Sequence, residues 1–417
     1  MAKRTINDVD LQGKRVFARV DYNVPMEESA GAMVINDDTR IRATLPTLEA
    51  LRSQGARVVL AAHLGRPKGE RVDSMSLQPV AAKLGELTGQ PVGFAEDCIG
   101  NTAANAVNNL ADGEMVLLEN VRYHAEEEAN DADFSGQLAE LADAYVNDAF
   151  GAAHRAHAST AGIAEAISSR GGECVAGLLM ERELKFLGGE LENPTRPFVV
   201  ILGGAKVSDK IKVIDRLLEK ANTILIGGAM AYTFKLAQGR DVGNSLVEPD
   251  KVDTARAALD KAAARGVKFL LPTDHIAAES YETGEVNSKD KPITKLRNHR
   301  VIDSENVPDG LGGVDIGPAT AESFANALNG AKTILWNGPM GIFEDPRFAD
   351  GTLAIARAVA AATRAGGQSI IGGGDSVKAI NKTGLSGEVT FMSTGGGASL
   401  EFLEGRELPG VAALDNL

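Results

Sequence analysis

Cysteine is nearly absent: the 417-residue chain has two, Cys98 and Cys174. With no Cys-x-x-Cys pair and no histidine cluster beside them, neither a disulfide framework nor a zinc site is expected, and each reads as a buried thiol. Long apolar runs are missing too. None approaches the ~18 residues of a membrane-spanning helix, and the opening Met-Ala-Lys-Arg-Thr-Ile-Asn-Asp lacks the apolar core of a secretory signal, so a cytoplasmic protein is expected. Positive charge is in the minority, with 43 Lys and Arg against 57 Asp and Glu and a formal net charge of -14. Such a balance argues against a general binder of nucleic acid or anionic membrane. Tryptophan occurs once, as Trp336 inside an apolar run, and reads as core. The two common phosphate loops, Gly-x-x-x-x-Gly-Lys-Ser/Thr and Gly-x-Gly-x-x-Gly, are absent.

What is present is a 44% hydrophobic composition and 46 glycines, spread over more residues than one core usually serves, so two domains are expected. In the first half, short apolar runs end in polar residues and alternate with helical patterns. Arg15 to Val20 leads into Asp21-Tyr22-Asn23, Val58 to Ala62 into His63-Leu64-Gly65-Arg66, and Met115 to Leu118 into Glu119-Asn120-Val121-Arg122. Val92 to Ala95 is shorter, and Tyr145-Val146 leads through Asp148 to His154-Arg155-Ala156-His157. This alternation predicts a parallel sheet covered on both faces, with ligands beyond the carboxyl ends of its strands. An acidic protein has gathered His63, Arg66, Arg122, His154, Arg155 and His157 at those ends, with Arg40 at the start of a helix. Arginine forks suit a small phosphate or carboxylate, although any one of these residues read alone fits a solvated or ion-paired side chain.

The second half repeats the pattern with glycine at the strand ends. Pro197 to Leu202 ends in Gly203-Gly204-Ala205-Lys206-Val207-Ser208-Asp209-Lys210, and a helix is expected to follow. If it includes Lys206, that residue and Lys210 share one face near an electropositive N-terminus, which suits an anion; a solvated lysine pair reads equally well. Later apolar runs end in Gly227-Gly228, in Asn337-Gly338-Pro339-Met340-Gly341, in Gly372-Gly373-Gly374-Asp375-Ser376 and in Ser393-Thr394-Gly395-Gly396-Gly397. Successive glycine amides can cradle phosphates, and Asp375 is positioned to hold Mg²⁺ or, alternatively, to cap the next helix. Glu344 fits a ribose contact or a solvated loop acid. Ser280 to Ser304 reads as charged surface without catalytic content. An amphipathic helix over 178–187 and a Gly/Pro junction mark the domain boundary, and the helix reads equally as a hinge or as a plain connector.

These motifs resemble phosphoglycerate kinases across nearly the whole chain. The matching stretches are Arg19-Val20-Asp21-Tyr22-Asn23-Val24-Pro25, His63-Leu64-Gly65-Arg66-Pro67, Leu118 to His124, Ala153 to His157, Gly203 to Lys210, Trp336 to Gly341, Gly373 to Ser376 and Ser393 to Ser399. Departures are small: Tyr22 where phenylalanine is usual, Ala152 where threonine is common, and Ala229 in a glycine-rich turn.

The resemblance implies two doubly wound, Rossmann-like α/β domains joined by a hinge helix: 1–182 for the acceptor, 183–405 for the nucleotide, and a tail, 406–417, returning to the first. It implies the reaction ADP + 1,3-bisphosphoglycerate ⇌ ATP + 3-phosphoglycerate with Mg²⁺, in a monomer acting on small molecules. Asp21, Asn23, Arg40, His63, Arg66, Arg122 and Arg155 would bind the acceptor. Lys206, Lys210, Glu344, Gly373, Gly374, Asp375 and Ser376 would bind the nucleotide, with Asp375 on the metal. Arg40 and Lys210 would face the phosphoryl group in flight. The alternative is a catalytically silent nucleotide-binding regulator on the same scaffold.

Overall fold

The run Phe198–Leu202 has no polar face, and as a strand it is buried at every position. Met115–Leu118, Thr223–Ile226 and Thr333–Asn337 are buried in the same way. Burial on both sides requires a helix layer on each face, which is the environment of parallel strands. A computed structural model describes residues 2–29, 31–286 and 292–417, and divides the chain into two compact units, Met1–Lys185 with Arg406–Leu417, and Phe186–Gly405.

Each unit is built on a six-stranded sheet, and its recorded pairings are all parallel. In the first, the strands lie in the order Gly93–Ala95, Met115–Leu118, Arg57–Ala61, Arg15–Arg19, Ala144–Asn147, Cys174–Ala176. In the second the order is Lys268–Leu270, Thr223–Ile226, Phe198–Leu202, Thr333–Asn337, Gln368–Gly372, Phe391–Met392. Numbered along the chain, the second sheet runs 3-2-1-4-5-6, the doubly wound order. The chain reverses its direction of travel between Arg15–Arg19 and Ala144–Asn147 in one unit, and between Phe198–Leu202 and Thr333–Asn337 in the other. At such reversals a crevice opens beyond the carboxyl ends of the two strands.

Two sequence readings need correction. First, the helix after Gly203-Gly204 spans Ile211–Leu217; Lys210 precedes it and Lys206 lies outside it, so the two lysines do not share a helical face. Second, Asp375 is in the first turn of the helix Gly374–Thr383 but makes no capping hydrogen bond there. The stretch read as charged surface without catalytic content, Ser280 to Ser304, contains much of a three-stranded sheet, and its strand Pro292–Ile302 is mostly exposed. His275–Val286 pairs antiparallel with both Pro292–Ile302 and Gly312–Ile316. Trp336 is fully buried in the second core, as expected, its Nε1 donating to Gly338 O at 2.8 Å.

The connection between the units is helical. Leu178–Glu183 is α-helix, and Leu184–Glu190 continues it as a wider π turn. Asp148, buried and just past the strand Ala144–Asn147, accepts the amides of Leu179 and Met180 at 2.9 and 3.1 Å and so anchors the start of this helix. Its burial pushes the carboxyl up to about 6.

The C-terminal segment packs within the first unit. Gly410 N donates to Ala153 O at 2.9 Å, Asn147 Nδ2 donates to Gly410 O at 3.0 Å, and Asp415 N donates to Cys174 O at 2.8 Å.

Candidate active site

In the first unit the strand Arg15–Arg19 delivers Asp21 and Asn23 to its carboxyl end, where the helix Thr39–Ser53 presents Arg40 from its first turn. Arg40 Nη1 donates to Asp21 Oδ1 at 3.1 Å and to Asn23 O at 3.0 Å. Asn23 Oδ1 in turn accepts Gly65 N at 2.9 Å, which ties this corner to the loop after Arg57–Ala61. That loop carries His63 and Arg66, and its Gly65 O accepts Arg122 Nη1 at 3.0 Å. Five of the seven expected acceptor residues are therefore linked through four short segments: Asp21, Asn23, Arg40, His63 and Arg122. Arg66 and Arg155 are exposed nearby, Arg155 Nη1 donating to His154 O at 3.2 Å.

One member of the cluster was not among the sequence candidates. Arg19, the last residue of its strand, is fully buried. Its Nη2 meets His63 Nδ1 at 3.0 Å and its Nε donates to Ser159 Oγ at 2.8 Å. A guanidinium has no acceptor, so His63 Nδ1 receives the bond and the ring proton is on Nε2. Burial, followed by the charges of Arg19, Arg122 and Arg40, pushes His63 well below its usual value, so the ring is a neutral donor. Beneath it, the carboxylate of buried Glu127 accepts Ser159 Oγ at 2.6 Å and Ser159 N at 2.8 Å. His157, also held down to about 4 by burial and by Arg122 and Arg19, approaches Glu127 at 3.9 Å. Arginine charges and neutral imidazole donors gathered at one sheet end make a preformed seat for an anion. Arg19 is concealed in sequence by its apolar neighbours, and Glu127 and Ser159 by distance along the chain.

In the second unit the loops after three strands interlock by backbone. Gly203 N donates to Asn337 O at 3.0 Å, Gly228 N to Met340 O at 2.8 Å, and Met230 N to Gly204 O at 3.0 Å. A Cβ on Gly203 would lie 1.9 Å from Pro339 O, so no side chain fits there. At the reversal itself, Lys210 Nζ donates to Asn337 O at 3.2 Å and to Asn337 Oδ1. Burial lowers Lys210 to about 8, with Asp209 and Asp375 opposing the shift. Asn337 Nδ2 is buried without a hydrogen-bond partner among the described residues, and the adjoining Gly372-Gly373 turn is within reach, a Cβ on Gly373 lying 3.3 Å away.

Gly373, at φ +85°, turns the chain into the helix Gly374–Thr383, whose first amides are those of Gly374, Asp375 and Ser376. Ser376 Oγ accepts Gly338 N at 2.6 Å, which fixes the hydroxyl against the neighbouring loop while its O–H can still donate. Asp375 is exposed and pairs with Lys378 at 3.5 Å. Lys206 and Glu344 are exposed, and among the described residues no side-chain hydrogen bond joins either to this cluster.

The phosphoglycerate kinase family model matches residues 6–406. A phosphoglycerate kinase of Chlorobium chlorochromatii is 53% identical over 416 residues, covering 100% of both chains. One of Synechococcus elongatus is also 53% identical, over 419 residues and 100% of both. The solved phosphoglycerate kinase of Coxiella burnetii superposes with a TM-score of 0.82 at 38% identity, covering 99% of this chain and 98% of that one. That of Pyrococcus horikoshii gives 0.80 at 34%, with the same coverage. On these matches, taken with the two sheet-end clusters, the chain belongs to the phosphoglycerate kinase family.

Proposed function

We propose that the two clusters serve one reaction, phosphoryl transfer between 1,3-bisphosphoglycerate and ADP to give 3-phosphoglycerate and ATP. The observation that carries this reading is the complementary chemistry of the two strand reversals. One gathers Arg19, Arg40, His63 and Arg122 about a carboxamide and a carboxylate, and the other presents a buried lysine beside glycine amides. Accordingly Met1–Lys185 with the tail takes the acceptor, and Phe186–Gly405 takes the nucleotide. Family membership and the presence of Arg40, Lys210 and Asp375 leave the silent-regulator reading without support.

Within this reading Asp21 and Asn23 bind the hydroxyl and carboxylate end of the glycerate. His63, Arg66, Arg122 and Arg155 bind its negative groups, and Arg40 also faces the group in transfer. Lys206, the amides of Gly373, Gly374 and Ser376, and Lys210 hold nucleotide phosphates, while Glu344 takes the ribose. The acceptor oxygen is already anionic, so the protein supplies position, charge neutralisation and exclusion of water rather than a base. Asp375, an exposed carboxylate at a glycine turn, has the hard oxygen donors that Mg²⁺ prefers. When bound, Mg²⁺ neutralises phosphate charge. The helix Leu178–Glu190 is the element about which we expect closure.

We read the protein as a cytoplasmic monomer acting on small molecules; no helix among the described residues is long and apolar enough to cross a membrane. The test is a coupled assay of ATP consumption with 3-phosphoglycerate, first with Mg²⁺ and then with the metal chelated. Turnover that requires both is expected; no turnover with both present overturns the reading.

A further inference from the structure

Away from the transfer site, the fold assembles a group that sequence spacing does not reveal. Asp97 and Cys98 follow the strand Gly93–Ala95, and His124 follows the turn Val121–Tyr123. One ligand atom from each, a carboxylate oxygen, a thiol sulfur and an imidazole nitrogen, come within 4.8 Å of one another. The sequence reading expected an isolated buried thiol at Cys98 and no zinc chemistry. We propose that Asp97, Cys98 and His124 form a binding site for one borderline divalent cation of the Zn²⁺ class, with water as fourth ligand.

Geometry and charge support the site. Tetrahedral zinc with S, N and O ligands separates them by about 3.4–3.6 Å, so ligand atoms already within 4.8 Å of one another have little further to close. His124 Nε2 and Asp97 Oδ1 already lie 2.8 Å apart, and this contact opens slightly to admit a cation. The ring of His124 is held against Phe134 at a centroid distance of 5.2 Å. Asp97 and His124 are 44% and 26% exposed, giving an approach from solvent, whereas Cys98 is 1% exposed and closes the inner side.

Binding forms a metal–sulfur bond and releases the thiol proton to water, so thiolate and carboxylate balance the charge of a divalent ion. A thiolate in the set selects Zn²⁺ or Co²⁺ over Mg²⁺, which distinguishes this site from the one proposed at Asp375. Occupancy links the turn carrying Arg122 to the end of an edge strand.

Cobalt titration of the full chain in Mg²⁺ buffer tests the site. A thiolate-to-cobalt charge-transfer band saturating at one equivalent is expected. It should survive excess Mg²⁺, persist in Cys174→Ser and vanish in Cys98→Ala and His124→Gln. Asp97→Asn alters only a partly exposed carboxylate and should weaken binding by at least about tenfold, which keeps the test open if a buried variant misfolds. The absence of a band, a band retained in folded Cys98→Ala, or unchanged affinity in Asp97→Asn overturns the proposal.

Discussion

Lys210 Nζ donates to the backbone oxygen of Asn337 at 3.2 Å and also to that residue's side-chain oxygen, at the reversal of the second sheet. The ammonium is held by neutral oxygens in a buried place, so its charge remains available to an anionic ligand.

Removing either end of the proposed transfer pair should therefore separate activity from folding. Lys210→Ala and Arg40→Ala are each expected to lower kcat by about 10²–10³ or more, the scale for losing a transition-state donor. Far-UV circular dichroism should be unchanged. Near-full activity in either folded variant would remove that residue from the role assigned to it.

Burial lowers Lys210 from 10.5 to about 8. Its cationic form is thus lost from the free protein as pH rises through about 8, and kcat/KM for the nucleotide should decline there. Bound phosphates favour the ammonium, so the decline in kcat should come at higher pH. Lys210→Arg should abolish the titration. For stability, the unfolded chain holds this proton up to 10.5 and the folded chain does not, so this group's contribution rises with pH between about 8 and 10.5.

His157 titrates at about 4 in the folded protein against 6.5 when unperturbed. Its contribution to stability is complete above 6.5 and is lost as pH falls towards 4, because the unfolded state takes up the proton first. The limiting slope is about 1.4 kcal/mol per pH unit. Urea midpoints at neutral and acid pH should converge more closely in His157→Gln than in the parent.

Gly203→Ala places a Cβ against a backbone oxygen that cannot swing away. A loss of about 1–3 kcal/mol or more is expected, measured by urea unfolding. At Gly374 the space beside a Cβ is open, so Gly374→Ala should retain stability, and any rise in nucleotide KM would report the amide cradle directly.

Much of both sheets was legible because strands buried on two faces are written as unbroken apolar runs such as Val199 to Leu202. Arg40, Arg122 and Lys210 stood out only as part of a set of charges placed after apolar runs, since each alone fits a solvated side chain, and the roles proposed for them come from the family resemblance. The antiparallel strands His275–Val286 and Pro292–Ile302 were not, since Pro292–Ile302 is exposed or only partly buried throughout and carries no clean alternation. The helix onset was read too early because Val207 fits the helical spacing of Ile211 and Ile214 while belonging to a non-helical turn. Arg19, Glu127 and Ser159 escaped for another reason. Each takes its meaning from a partner that chain folding supplies, 32 residues away for Ser159 and Glu127 and 44 for Arg19 and His63.

The hydrogen bond from Asn147 to Gly410 spans 263 positions, and Gly410 packs on Ala153, next to His154 and Arg155. During synthesis the first unit therefore remains unfinished until the second has been made. A nascent chain stalled before Arg406 would carry every proposed ligand-binding residue yet lack the segment that packs beside the loop bearing Arg155.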